Sequence, residues 1–582
     1  MKHFKKLAMT IVALWCCIAA NAYDFEVDGI CYNITSEDNL TVEVTKNSDN
    51  RYSGEVIIPS VVAYNGKSYS VTSIGGSAFS GCTGLTSITI PDGVTEIGQN
   101  TFYGCTSLPI KDNVRYADKW AIGVGDKTTP NYSLKSDTRG LINTFSGCTN
   151  LARISIPETV VCISGDVFSG CSLLKSVKIP TDATIIGDAT FKNCSSLTSV
   201  NIPSKTKNIG DSTFYDCKKL TSITIPESVT SIGDMAFYNC DGLEAVHIKD
   251  IVAWCNISFF DIHSNPLYHH GSTDYRPFYL NGEELTDIVL PNDVTNIAQY
   301  AFYGCIALTS ITIPEGVTEI KHATFGECYN LSSVTLPESL TSIGTFAFGN
   351  CTGLKSITIP KNVTSIAAKS AFRAYFDDWY LKTVTINSPA IMEAGDFKNI
   401  FGPYVTTYNI GAEIDELKDV TFFNYTNLKT VTLPKTLTRI GESAFDRCSA
   451  LTSINIPSKV NSIGAYAFAG CMSLNSVTSE NTVPPVCSEG VFEEVSTSKC
   501  KLIVPQASLT TYKETKPWSE FMIIGDEDLA GIDDIVKQDG TATIYTIDGK
   551  QVFKGKVQNA SEATQDLPSG VYVVNGKKVV VK

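Results

Sequence analysis

The stretch Leu220-Thr221-Ser222-Ile223-Thr224-Ile225-Pro226-Glu227-Ser228-Val229-Thr230-Ser231-Ile232-Gly233-Asp234-Met235-Ala236-Phe237-Tyr238-Asn239-Cys240 is one unit of a repeat. Ile223 and Ile225 alternate with polar neighbours, as in a short strand with two side chains facing inward. Pro226 ends that strand, because proline has no N–H to give to a ladder. Val229 and Ile232 turn a second stretch inward, and Gly233 permits a tight or positive-φ corner. Residues 234–240 suit a helical turn, which would put Phe237 and Cys240 on one face.

The unit recurs. Cys148, Cys171, Cys194, Cys217 and Cys240 stand 23 residues apart, and the same step links Cys82 to Cys105, Cys305 to Cys328 and Cys351, and Cys448 to Cys471. Pro157, Pro180, Pro203 and Pro226 keep the same time, as do Pro314, Pro337 and Pro360, then Pro434 and Pro457. A fixed period of this length predicts a stacked solenoid, in which equivalent side chains form ladders around one dry interior. Its strands should pair in parallel, about 4.8 Å apart. A chain of 582 residues is too long for a single compact core, but a solenoid evades that limit because each coil buries its face on its neighbours. Hydrophobic content of 43% with 18% charged residues indicates a chain folded throughout.

The period breaks between Cys105 and Cys148, Cys240 and Cys305, and Cys351 and Cys448, placing insertions near 106–145, 247–290 and 367–420. Of five tryptophans, Trp120, Trp254 and Trp379 occupy one insertion each, Trp15 lies in the leader and Trp518 follows the last repeat. A large aromatic fits badly into a ladder of medium aliphatic residues. Each Trp therefore either anchors its insertion or, with Tyr375 and Tyr380, contributes to an aromatic ligand site. At the end of the third insertion Phe422 and Tyr425 fall on the Phe and Cys register of the following unit.

At the amino terminus, Lys2, Lys5 and Lys6 precede an apolar run over 7–20 and a small-x-small sequence, Ala20-Asn21-Ala22. That is the pattern of a signal peptide over 1–22. Cys16 and Cys17 invite a lipoprotein reading, but Trp15 stands where a small residue is expected. No later segment is continuously apolar, so no membrane span is expected after cleavage. The net charge of −14 would become still more acidic once the three lysines are lost, which disfavours nucleic acid and anionic membranes as partners.

The signature Leu-x-x-Ile-x-Ile-Pro-x-x-Val-x-x-Ile-Gly-x-x-Ala-Phe-x-x-Cys resembles the BspA-like leucine-rich repeats of surface proteins of Gram-negative anaerobes, over roughly two-thirds of the chain. The implied fold is an α/β repeat solenoid of leucine-rich-repeat type, with 23-residue coils and parallel short strands, plus a small C-terminal β-domain. Residues 23–78 resemble the family's amino-terminal cap, 79–475 the repeats and 476–525 the carboxy-terminal cap. An acidic linker over 526–540 leads to 541–582, where Leu567-Pro568-Ser569-Gly570-Val571-Tyr572 resembles a type IX secretion sorting domain. Hairpin turns are expected at Asp548-Gly549 and Asn575-Gly576.

Nineteen cysteines in an exported chain raise disulfides. Those at the repeat position leave parallel coils in the same direction among Phe, Leu and Ile, and are expected to be buried free thiols. Cys487 with Cys500 is a better candidate pair. His263, His269 and His270 share an insertion with Asp261 and Asp274, but their spacing matches no standard zinc motif. Gly123-Val124-Gly125-Asp126-Lys127-Thr128 lacks the Gly before Lys that a phosphate loop needs. No nucleophile stands with a base. The expectation is therefore a non-enzymatic protein without cofactor or metal.

What remains is the surface. The outward strand position reads Thr89, Ser155, Lys178, Asn201, Thr224, Thr312, Thr335, Thr358, Thr432 and Asn455, a neutral, hydroxyl-rich face that also suits strand propensity and solubility. The resemblance implies a cell-surface adhesin that holds extracellular matrix or other surface proteins. Glycan binding, or an architectural role without a specific ligand, are the alternatives.

Overall fold

Parallel strands stacked coil on coil run through the chain, which is a β-solenoid with little helix. The computed structural model describes residues 23–47, 52–268, 276–374, 380–395, 397–526, 541–546, 551–556, 567, 570–574 and 577–581. The expected signal peptide, the linker beyond Asp526, both hairpin turns, Tyr375, Trp379, His269, His270 and Asp274 lie outside the described residues. Two compact units are present: Met1–Thr286 with Ile297–Ala307, and Asp287–Asn296 with Leu308–Lys582.

Most coils contribute two strands. In the first unit Ser222–Ile225 pairs in parallel with Ala245–Ile248, so Ile223 faces Val246 and Ile225 faces Ile248. The shorter Ser231–Ile232 belongs to a separate ladder, between Asn208–Ile209 and Ser258–Phe259. In the second unit Ser356–Ile359, Thr383–Ile386 and Thr407–Ile410 form the first kind of ladder, and Glu319–Ile320, Ser342–Ile343 and Ser365–Ile366 the second. Pro226 does more than end a strand. Its carbonyl accepts from the Val229 N–H at 3.1 Å, a turn that carries the chain from one ladder to the other.

The expected helical turn over 234–240 is a succession of tight turns instead. Met235 (φ 51°) and Asn239 (φ 55°) are left-handed, a conformation that cannot propagate a right-handed helix. Gly233 itself is not left-handed. A Cβ there would stand 2.2 Å from Asp211 Oδ1 and 2.7 Å from the Asp211 nitrogen. Glycine is required because two coils touch at that corner.

Between the ladders and the turns lies the core. Phenylalanine rings stack in columns: Phe168, Phe191 and Phe214 in the first unit at 5.5 Å between centroids, and Phe422, Phe445 and Phe468 in the second at 5.3 and 5.2 Å. Phe422 and Tyr425 take the register expected of them, at 0% and 3% exposure. The column of the second unit ends where Phe468 stacks on Phe492 and Trp518 meets Phe492 edge-on.

At the amino-terminal end, Phe25–Val27, Ile30–Ser36, Thr41–Thr45, Lys67–Ile74 and Val61–Tyr64 form a mixed sheet. Lys67–Ile74 then pairs in parallel with Glu96–Ile97, while Gly54–Ile57 pairs with Leu85–Thr89. This segment therefore supplies the opening strand of both ladders and covers an edge that would otherwise be unpaired. Near the carboxy terminus, Gln551–Lys556, Thr541–Thr546, Gly570–Val574 and Lys577–Val581 make a separate antiparallel sheet, in that order. Among the described residues no helix is long and apolar enough to cross a membrane.

Candidate binding surface

The outward strand position is exposed along both units. Thr89, Ser155, Lys178, Asn201 and Thr224 line it in the first; Thr335, Thr358, Thr432 and Asn455 are exposed in the second, with Thr312 half-buried. Three of these side chains are occupied: Lys178 pairs with Glu158 at 2.7 Å, and two asparagines are also engaged. Asn201 brackets the backbone of Ile179, accepting from its N–H and donating to its carbonyl, and Asn455 donates to Glu480. Threonines one position before the strands are also tied down, Thr221 to the Thr198 carbonyl at 3.2 Å and Thr341 to the Thr318 carbonyl at 2.8 Å. By contrast, among the described residues the hydroxyls of Thr89, Thr224, Thr335, Thr358 and Thr432 make no intramolecular hydrogen bond. They are donors and acceptors left for an outside partner.

The insertions are built around their aromatic residues. In the first, Trp120–Val124 forms a hairpin with Val114–Ala117 and pairs in parallel with Gly140–Ile142. Trp120 is 2% exposed, and its ring lies where a Cβ on Gly140 would be, 2.1 Å from the nearest ring carbon. In the second, Asp250 caps the helix Ile251–Cys255 by accepting from the Val252 and Ala253 N–H groups. Trp254, 1% exposed, donates from Nε1 to the Ala301 carbonyl at 2.8 Å. In the third, Tyr380 is 5% exposed and donates to the Phe348 carbonyl. The structure thus places Trp120, Trp254 and Tyr380 inside, in three separate insertions, each holding its own segment against the stack.

Arg276 was not singled out by its sequence, and it is 3% exposed. Its guanidinium donates to the carbonyls of Leu243, Cys240, Pro266 and Tyr268. Burial pushes its pKa down to about 10. One cation thus joins the carbonyls of Cys240 and Leu243, at the end of a coil, to those of Pro266 and Tyr268 in the insertion.

A second missed feature is a stripe of half-buried rings on the turn side of the first unit. Tyr215 stacks on Tyr238 at 5.0 Å, Tyr238 meets His263 edge-on, and His263 meets Tyr268. The Phe-Tyr dipeptides at 214, 237 and 302 are its signal in the sequence. Stacking consumes faces that a ligand ring would need. Below the stripe, Asp188 Oδ1 accepts from the Asp211 N–H and Asp211 Oδ1 from the Asp234 N–H. Burial, followed by the Asp261 and Asp211 charges, raises the Asp234 carboxyl. Asp261 Oδ2 lies 2.9 Å from His263 Nδ1. Among the described residues no group of three or more His, Cys, Asp or Glu side chains could hold a metal.

The repeat cysteines are interior and unbridged, and Cys487 and Cys500 are likewise free thiols. Burial pushes the thiols of Cys194 and Cys240 up to about 12, which makes them poor nucleophiles at neutral pH.

The model for the BspA type leucine-rich repeat region matches the chain in six copies, over residues 65–121, 142–265, 275–401 and 397–514. Among solved structures, a leucine-rich repeat protein from Bacteroides ovatus is 26% identical, with 86% of this chain and 100% of that one covered and a TM-score of 0.31. A leucine-rich cell surface protein from Faecalibacterium prausnitzii is 24% identical over 70% of this chain and 94% of its own, at a TM-score of 0.29. The pneumococcal vaccine antigen PcpA is 17% identical over 83% and 98%, also at 0.29. At these scores the superpositions add nothing to the match of the repeats themselves. No curated protein matches the chain.

Proposed function

This chain belongs to the BspA-type leucine-rich repeat family, and on that premise we propose that it is an exported surface protein that adheres to extracellular proteins through its outward strand face. The observation that carries the reading is the recurrence, in each unit, of exposed threonines whose hydroxyls make no intramolecular bond. Each contact with a partner would be weak. Repetition along a stiff ladder makes them additive, as in any multivalent attachment. Trp120 and Trp254 would serve selectivity by fixing the insertions, not by touching the ligand. Tyr380 would do so in the third. No reaction, cofactor or metal enters this function.

Export would begin with the segment 1–22. Retention at the surface would depend on 541–582, whose antiparallel sheet is compatible with a sorting domain. Deleting 541–582 should release the repeats into the medium; a truncated chain that stays cell-bound would refute this role.

The binding test uses the full chain on immobilised matrix proteins. Thr335→Glu with Thr358→Glu should weaken capture by about ten-fold, since each places an unpaired charge in a contact that excludes water. Unchanged capture would overturn the assignment of the face. The alternative of glycan binding predicts saccharide retention that survives these two changes.

A further inference from the structure

The Phe column and the turn ladder are both interrupted at the first insertion. On one side Phe79 and Gly81 donate to the Thr101 and Tyr103 carbonyls; the pattern resumes where Phe145 donates to the Val167 carbonyl. Between the two turns opens a cleft of about 380 Å³, within the usual size of small-ligand sites. Tyr132 from the insertion takes the place beside Phe145 that a preceding Phe would hold, at 5.1 Å, and the core residues Phe102, Cys105 and Ile142 line the cleft.

Tyr103 lines this cleft and is 73% exposed. It belongs to the same Phe-Tyr dipeptide as Tyr215, Tyr238 and Tyr303, each of which packs against another ring. Among the described residues the Tyr103 ring packs on none. The charged lining is Arg115, Lys127 and Asp166, locally cationic in a chain of net charge −14. Arg115 is held in place by donating to the Leu108 carbonyl at 2.6 Å, and Lys127 by donating to the Ser146 carbonyl at 2.6 Å. Asp166 accepts from Gln99. Asn143 Oδ1 accepts from the Asn100 N–H across the cleft, leaving the Asn143 amide N–H groups to donate.

We propose that this cleft binds a carboxylate-bearing sugar at the end of a glycan, with Tyr103 against the pyranose face and Lys127 and Arg115 toward the carboxylate. An uncommitted aromatic ring beside two cations and a side-chain amide matches the three parts of such a residue: an apolar C–H face, an anion and hydroxyls. The site is separate from the strand face, so it stands or falls independently of adhesion to proteins.

The test is titration of the full chain with sialyllactose, with a disaccharide ending in glucuronate, and with lactose as the neutral control. At least one acidic sugar should bind about ten-fold more tightly than lactose and lose affinity as salt is raised. Tyr103→Ala should weaken binding about five-fold, and Lys127→Gln about three-fold. Both side chains are exposed, so the fold is preserved, and circular dichroism checks it. Thr335→Glu should leave sugar binding unchanged. Equal affinity for lactose, no binding at millimolar sugar, or variants indistinguishable from the parent would each overturn the proposal.

Discussion

The Cys217 thiol donates to the carbonyl of Phe191, one coil back, at 3.1 Å. Cys194 reaches Phe168, Cys240 reaches Phe214, Cys351 reaches Phe325 and Cys471 reaches Phe445 in the same way. The repeat cysteine is therefore a donor that ties one turn to the next as well as a small apolar filler. Replacing Cys217 by Ala should cost about 1–3 kcal/mol, from the lost thiol hydrogen bond and the space left behind, although the Phe191 carbonyl keeps the Cys194 N–H. Faster hydrogen exchange confined to this coil and its neighbours would show it, because solenoids open locally.

Buried thiols, those of the repeat and Cys162 in the strand Cys162–Ser164, also set an alkaline limit on stability. Cys162, Cys194 and Cys240 ionise in the unfolded chain near 9.0 and in the folded one near 12. Their raised folded pKa means that their contribution is complete below pH 9 and is lost as pH rises toward 12. Each such thiol should lower the unfolding free energy by about 1.4 kcal/mol per pH unit across that window. Urea midpoints measured from pH 7 to 11 under reducing conditions should be flat at first and fall steeply beyond pH 9. Iodoacetamide at pH 8 should label these cysteines only after denaturation.

Two positions in one corner should respond with opposite signs. Gly233→Ala forces a Cβ to within 2.7 Å of the Asp211 backbone nitrogen and should destabilise the coil by about 2 kcal/mol. Met235, 38% exposed at φ 51°, carries a left-handed strain. Met235→Gly should relieve it and stabilise by about 1 kcal/mol. Thermal melts of the two variants against the parent decide both.

Gly140 and Trp120 form a lock whose halves can be tested together. Gly140→Ala should lower the melting temperature and shift tryptophan emission, because the indole must leave its seat. Trp120→Leu in the same chain should recover part of the loss, giving a coupling of about 1–2 kcal/mol in a double-mutant cycle. Simple additivity would show that the two side chains do not share that space.

Arg276→Met preserves much of the side-chain volume while removing the guanidinium from four carbonyls, of which that of Cys240 keeps the Leu243 N–H. A loss of about 3 kcal/mol or more is expected. Proteolysis of the second insertion reports it most directly: cleavage near 260–280 should appear in the variant under conditions that leave the parent intact.

The period, the inward positions and the thiol burial could be read from residues such as Ile223, Ile225, Phe237 and Cys240, because each is a local property multiplied by stacking. What escaped was anything decided by the neighbouring coil. Gly233 was legible as a corner, but the reason for it is Asp211, a full period away. The stretch around Ala236 carries helix-compatible residues, yet the coil must turn twice within it, and left-handed Met235 and Asn239 supply those turns. Trp120 and Trp254 were visible as exceptions to the repeat; their burial depends on Gly140 and Ala301, which sequence spacing does not link to them. The cleft beside Tyr103 was illegible because it is made of a missing turn.

In the third insertion, two short helices, Pro389–Ala394 and Phe397–Phe401, stand in place of the usual turns, yet Thr383 still faces Thr407 and Ile386 still faces Ile410. The hydrogen-bonded edge is thus indifferent to what the chain does on its way round. A lineage can lengthen, shorten or replace that excursion without renegotiating the alignment of any strand. What any replacement must carry is the apolar filling that Ile391, Met392, Phe397 and Phe401 now supply, and a foreign peptide spliced between 387 and 403 would be displayed once it kept those side chains.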